Sequence, residues 1–300
     1  MTTTPEFRFA MAALFAAIAV VCAVSAIVAA RRPGPTERAL SRFAERSGLR
    51  VSADVQPRLE AFLRTRTVVE RWALAVAVLG CGALLLTPLG GIQAFPVLVA
   101  VPILFAVMMV IAAVSALRAR LFAPAAGAAR LARLRVTRTS DYLGRGPRAL
   151  TWVLASAAGV GAVWVAVALI RGDIAPVPFA VAALTAAVPA GILGAALPRL
   201  ERRILDTGQP AGSELELAWD DALRASALNA GRQTSAVLFV VALFLAVAAV
   251  TASADGDIGW GYTLFVWCQL PLLYVYPTTG ARLPRPLYPD GAPGGTAVSA

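Results

Sequence analysis

The residues of this chain that come closest to chemistry by type and spacing are paired acids: Asp220 with Asp221, Glu214 with Glu216, and Asp255 with Asp257. Two carboxylates can divide general acid and base work, or share a cation, only when they face one another. Neighbours on a helix point about 100° apart, so Asp220 and Asp221 do not form a catalytic dyad there. The "DGD" turn at 255–257 reads as a solvated polar turn, with weak cation binding as its functional alternative. The chain has no histidine, and all 27 of its basic residues are arginine. That removes an imidazole base, a Schiff-base lysine and a phosphate-loop lysine. Cys22, Cys81 and Cys268 are odd in number and fall in apolar stretches, so they read as small hydrophobes rather than a disulfide framework or metal ligands. The expectation is a protein that is not an enzyme and uses neither cofactor nor metal.

The elements that would position these acids are set by hydropathy. Hydrophobic residues make up 59% of the 300, charged residues 15%, and mean hydropathy is +0.73. That composition lies outside the range of ordinary soluble domains. Apolar runs of about 20 residues can cross a hydrocarbon core of about 30 Å as helices. Seven are present, at 9–30, 72–91, 94–117, 151–170, 174–198, 235–253 and 258–277. Their continuous apolar character rules for helices over an outer-membrane barrel. The fold class expected is all-α, a polytopic transmembrane bundle of seven helices in a single domain over 1–277.

A net charge of +10 would fit a nucleic-acid partner if the arginines were clustered on one face, but they are not. Ten lie in 31–71, eight in 118–150 and five in 199–234, against one in 171–173. This alternation is the positive-inside pattern of a plasma-membrane protein. It places the amino terminus outside, the three arginine-bearing loops and the carboxyl end inside, and an anionic inner leaflet as the lipid partner. The first apolar run is too long for a secretory signal and is followed by "AARRPG", so it reads as a membrane anchor.

The loops carry a weak periodicity. Glu60, Asp141 and Asp221 are separated by 81 and 80 residues, and each precedes a leucine, an arginine and then an apolar hairpin. A threefold unit of loop plus hairpin accounts for that spacing. In the first loop, Thr36 is placed to cap a helix that presents Leu40, Phe43 and Ala44 on one face and ends at Gly48; a second short helix runs through Leu59, Phe62 and Leu63. In the third, Ser213 is placed to cap "ELELAWDDALRASALNAG", closed by Gly231, with Asp220 and Arg224 at i, i+4 spacing. An anionic leaflet repels that acidic helix, so Glu216, Trp219, Asp220, Asp221 and Arg224 form the candidate docking surface for a protein partner or a second copy. The plainer reading gives those acids to arginines of the other loops, with Trp219 as an anchor in a platform closed on itself.

All acids and arginines fall outside the seven spans, which weakens an ion-coupled transporter. A permease or efflux role for a small or amphipathic molecule is the alternative function. Its candidate polar pathway is Thr185, Pro189, Gln269 and Pro271, where prolines free backbone carbonyls. Ala187, Gly191 and Ala195, with Ala155, Gly159, Ala157 and Gly161, repeat at four-residue spacing and predict close packing of the two helices that carry them. Trp72 and Trp152 mark helix entries at the headgroups. Residues 278–300, rich in proline and glycine and containing "PRPLYP", predict a disordered tail with polyproline character.

The stretches "ALSRFAERSGL", "RLEAFLRTR", "TSDYLGRGPRALTW" and "LELAWDDALRAS" resemble those of a group of uncharacterised multi-pass integral membrane proteins from high-GC Gram-positive bacteria. The resemblance covers most of the chain, rests on the texture of the loops, and carries over no catalytic or binding residue. Together these readings give a non-enzymatic plasma-membrane protein, an accessory or regulatory component with a cytosolic loop platform.

Overall fold

The computed structural model of the protein describes residues 4–32, 34–86, 137–174, 178–206, 211–254, 283–284, 286–289 and 293. Among them are seven helices: α1 (Pro5–Arg31), α2 (Gly34–Ser47), α3 (Gln56–Leu85), α4 (Thr139–Tyr142), α5 (Arg145–Arg171), α6 (Pro178–Asp206) and α7 (Glu214–Ala254). These are not the seven expected spans. The runs 94–117 and 258–277 lie outside the described residues, whereas α2 and α4 are short helices of the polar segments. Four stretches, Pro5–Arg31, Arg145–Arg171, Ala180–Asp206 and Glu214–Thr251, are long and apolar enough to cross a membrane. They cover the expected spans 9–30 and 151–170 and most of 174–198 and 235–253.

α1 starts where its sequence provides for a start. Thr4 accepts from the Phe7 amide, Pro5 opens the first turn, and Glu6 sits at the positive end of the helix dipole. It pairs antiparallel with α3 through Phe15 and Ala19 against Val78, Cys81 and Leu85. Gly82 permits the approach, because a Cβ there would lie 3.2 Å from that of Phe15. An arginine clasps the pair at each end. Arg8 donates to the Leu85 carbonyl at 2.9 Å, and Arg71 to the Ser25 carbonyl at 2.6 Å.

α5, α6 and α7 form a second group with α7 in its middle. Of the apolar window of α7, 72% is buried, against 17–28% for the other three candidate spans, so α7 is the interior helix of the described bundle. Ala158, Ala190, Phe239 and Ala242 pack at one level, and Val165, Ala180, Ala183, Leu245 and Ala249 further along. α5 and α6 touch as expected, with Ala155 and Ala187 against the same cluster, but each packs more extensively on α7. A Cβ on Gly161 would meet Ala246 at 3.1 Å and one on Gly194 would meet Phe239 at 2.7 Å, both on α7. Gly159 and Gly191 face open space instead. Small residues do admit close helices here, and the tightest glycine contacts are with α7.

Several expected helix ends also move. α2 begins at Gly34, so Thr36 lies inside its first turn rather than at its cap. Gly48 does end it, at φ +68°, where the Leu49 amide reaches back to the Ala44 carbonyl. The short helix through Leu59 and Phe62 runs on without a break into the apolar half of α3. Gly231 does not close its helix, and α7 continues for 41 residues, about 60 Å. A glycine inside a helix costs about 1 kcal/mol. The buried side chains flanking Gly231 outweigh that cost, and the Leu197 side chain packs within reach of it. α4 and α5, by contrast, stay separate because Pro147 cannot share a continuous helix with the Leu143 carbonyl four residues before it.

The two glycines of α6 give a paired test. Gly194→Leu should lower stability by about 1–3 kcal/mol through overpacking against Phe239. Gly191→Leu should be neutral or slightly stabilising, since it faces open space and gains helix propensity. Thermal melts of both variants in neutral detergent check this; equal losses would show that α7 does not occupy the space beside Gly194.

Candidate functional site

At its polar end α7 enters a platform built from several other parts of the chain. Leu40 and Phe43 of α2, Leu49 and Val55 of the following turn, and Leu59, Phe62 and Leu63 of α3 enclose Ala218, Trp219, Ala222 and Leu223 of α7. Trp219 is fully buried. Its ring stacks on Phe43 with centroids 5.8 Å apart, and its Nε1 donates to the Arg50 carbonyl at 3.2 Å. Ser213 caps α7 by accepting from the Glu216 amide, while Glu216 accepts from the Gly212 amide at 2.7 Å. Arg58 of α3 reaches Glu216 at 3.3 Å, an exposed pair of small energetic weight.

Asp221 is the polar centre of the platform. It is fully buried, and its two carboxylate oxygens accept from the Tyr142 hydroxyl of α4 and the Tyr288 hydroxyl, each at 2.7 Å. Burial, the Asp221 charge and the hydrogen bond to it all push the Tyr142 phenol well above its ordinary value, and Arg224 opposes them. Asp141 fixes α4 by accepting from the Arg138 amide at 2.8 Å. Of the expected disordered, polyproline-like tail over 278–300, the described residues 283–284 and 286–289 are ordered against the platform. The amides of Leu287 and Tyr288 both turn back to the Pro284 carbonyl, and Leu283, Leu287 and Tyr288 pack on the platform. Proline and glycine content marked this segment as coreless; two leucines and one tyrosine suffice to dock it.

The five expected docking residues are therefore neighbours, but most of them serve the interior. Trp219, Asp221 and Arg224 are buried, and Glu216 and Asp220 keep partial exposure. Arg224 holds Asp220 at 2.7 Å, as the i, i+4 spacing predicts, and also donates to the carbonyls of Ile204 and Leu205. Those carbonyls belong to the last turn of α6, the negative end of its dipole. Asp220 and Asp221 point to different surroundings, so no dyad forms.

Sequence reading missed the strongest ion pair of the described residues. Glu201 of α6 and Arg232 of α7 meet through two hydrogen bonds of 2.6 and 2.9 Å, and both are buried. Both fall in the stretch 199–234 between apolar runs, and nothing in the sequence shows that α6 and α7 continue past those runs side by side. Of the candidate pathway, Thr185 and Pro189 are exposed, and the Thr185 hydroxyl is satisfied within its own helix by the Val181 carbonyl. Gln269 and Pro271 lie outside the described residues. So do the 255–257 turn and Cys268; Cys22 and Cys81 are free thiols.

Chemically the platform offers a buried carboxylate held by two phenols and a guanidinium occupied by helix-end carbonyls. No group of three or more Cys, Asp or Glu that could hold a metal occurs among the described residues. No family model, curated protein or solved structure matches the chain.

The raised Tyr142 phenol makes alkaline stability a readout of the platform. A tyrosine whose folded pKa exceeds its unfolded value, about 10, contributes stability that is complete below pH 10 and is lost as pH rises through the folded value. Melting temperature should therefore fall above pH 10, and Tyr142→Phe should fall less over the same interval. Identical pH profiles for both proteins would remove Tyr142 from the coupling.

Proposed function

We propose that the chain is a non-enzymatic integral membrane protein of the plasma membrane, an accessory or regulatory component whose platform lies on the cytosolic side. Its working principle is mechanical. The observation that carries this reading is α7, one unbroken helix that is the centre of the platform at Trp219 and Asp221 and the centre of the bundle at Phe239 and Leu245. Whatever alters the platform acts on the same rigid element that organises the apolar helices. The arginine distribution supports the cytosolic assignment. The permease alternative draws less support, because the described half of its pathway faces outward.

Hydrogen exchange of the full chain in nanodiscs tests the coupling. Tyr288→Ala should raise exchange in α4, at the start of α7 and also beyond residue 235; an increase confined to 283–289 and α4 would separate platform from bundle. Sidedness is tested by Ser213→Cys with a membrane-impermeant maleimide. Labelling is expected in inside-out vesicles and not in intact cells, and the reverse pattern would overturn the topology.

A further inference from the structure

We propose that Arg148 and Arg232 form a binding site for the phosphodiester of a membrane lipid at the foot of the α5–α7 pair. The proposal rests on the reading that these helices cross a membrane.

Arg232 is 4% exposed. Its Nε and one terminal nitrogen are spent on Glu201, while Nη1 is buried with no acceptor among the described residues. The Nε of Arg148 is in the same position, buried with no acceptor. A buried guanidinium N–H left without a partner is costly, so such groups are filled in the native setting by an ion, a ligand or water.

The packing register puts the two arginines at one level. α5 and α7 run in the same direction, with Leu143 sharing a cluster with Ala227 below and Ala158 sharing one with Ala242 above. Arg148 lies between Leu143 and Ala158, and Arg232 between Leu228 and Phe239, so both arginines fall on the stretch of the helix pair bounded by these two clusters. Each arginine begins the same short pattern, arginine, two residues, a hydroxyl residue, one residue, valine: "RALTWV" and "RQTSAV". The hydroxyls behave alike, Thr151 donating to the Pro147 carbonyl at 2.7 Å and Ser235 to the Gly231 carbonyl at 3.0 Å. The apolar runs begin at these hydroxyls, which sets the arginines at headgroup depth. Two arginines against Glu201 leave one positive charge, the complement of a phosphodiester, and the guanidinium fork suits its paired oxygens. A third copy, "RTRTVV", places Arg64 84 residues upstream of Arg148, also with a buried Nε lacking an acceptor.

The test uses the full chain in neutral detergent and reads its melting temperature. Dioleoyl phosphatidylglycerol should raise it by several degrees. Dioleoylglycerol, with the same acyl chains and no phosphate, and inorganic phosphate at equal concentration should not. Arg148→Gln should abolish the rise, and Arg145→Gln, which removes an exposed charge three residues away, should keep it. Because Arg232→Gln alone would strand Glu201, the double variant Glu201→Gln/Arg232→Gln serves as the second probe and should also lose the rise. A full rise in Arg148→Gln, or an equal rise with inorganic phosphate or dioleoylglycerol, overturns the site. A chain released from membranes by alkaline carbonate would overturn the membrane reading as well. One retained in the membrane with no phosphate-dependent rise would overturn the lipid site alone.

Discussion

The structure depends on one helix being buried along nearly its whole length. α7 has little exposed face through most of its apolar window, and most of its buried polar groups are answered by protein. The answers come from different parts of the chain: Tyr142 and Tyr288 for Asp221, α6 carbonyls for Arg224, Glu201 for Arg232. Each answer recruits another segment onto α7. α4, the end of α6 and the 286–289 turn are each held to α7 by one of these polar groups.

Arginine plays an unusual structural part here. Lysine is absent, and several of the arginines are directed at backbone carbonyls rather than at carboxylates. Arg8 and Arg71 clasp the two ends of the α1–α3 pair, and Arg224 caps α6. A planar fork with five donors can satisfy a helix-end carbonyl and a carboxylate together, as Arg224 does with Ile204 and Asp220. These arginines thus serve as joints between helices.

The apolar runs were legible because hydropathy over about 20 residues is a property of the local sequence. The local stops and starts at Gly48, Ser213 and the Asp220–Arg224 pair were legible for the same reason. What escaped was set by distant packing. Gly231 looks like a helix end, yet it is carried through by buried neighbours. Glu201 and Arg232 look like loop charges, yet they meet inside two extended helices. Small residues on α5 and α6 announced the approach of those two helices to each other, but not that α7 would take the tightest glycine contacts of both. Tyr288 sits in a proline-rich stretch whose composition hides a single aromatic hydroxyl aimed at a carboxylate.

The docking of that stretch bears on how the chain is made. Asp221 emerges during synthesis 79 residues after Tyr142 and 67 residues before Tyr288. Its first tyrosine is waiting when it appears, but its second comes only after every residue of α7 has been laid down. The platform is therefore completed in two instalments, with synthesis of the rest of the central helix falling between them. Synthesis that stops short of Tyr288 leaves a platform with one phenol in place of two, a structural mark by which an unfinished chain differs from a finished one.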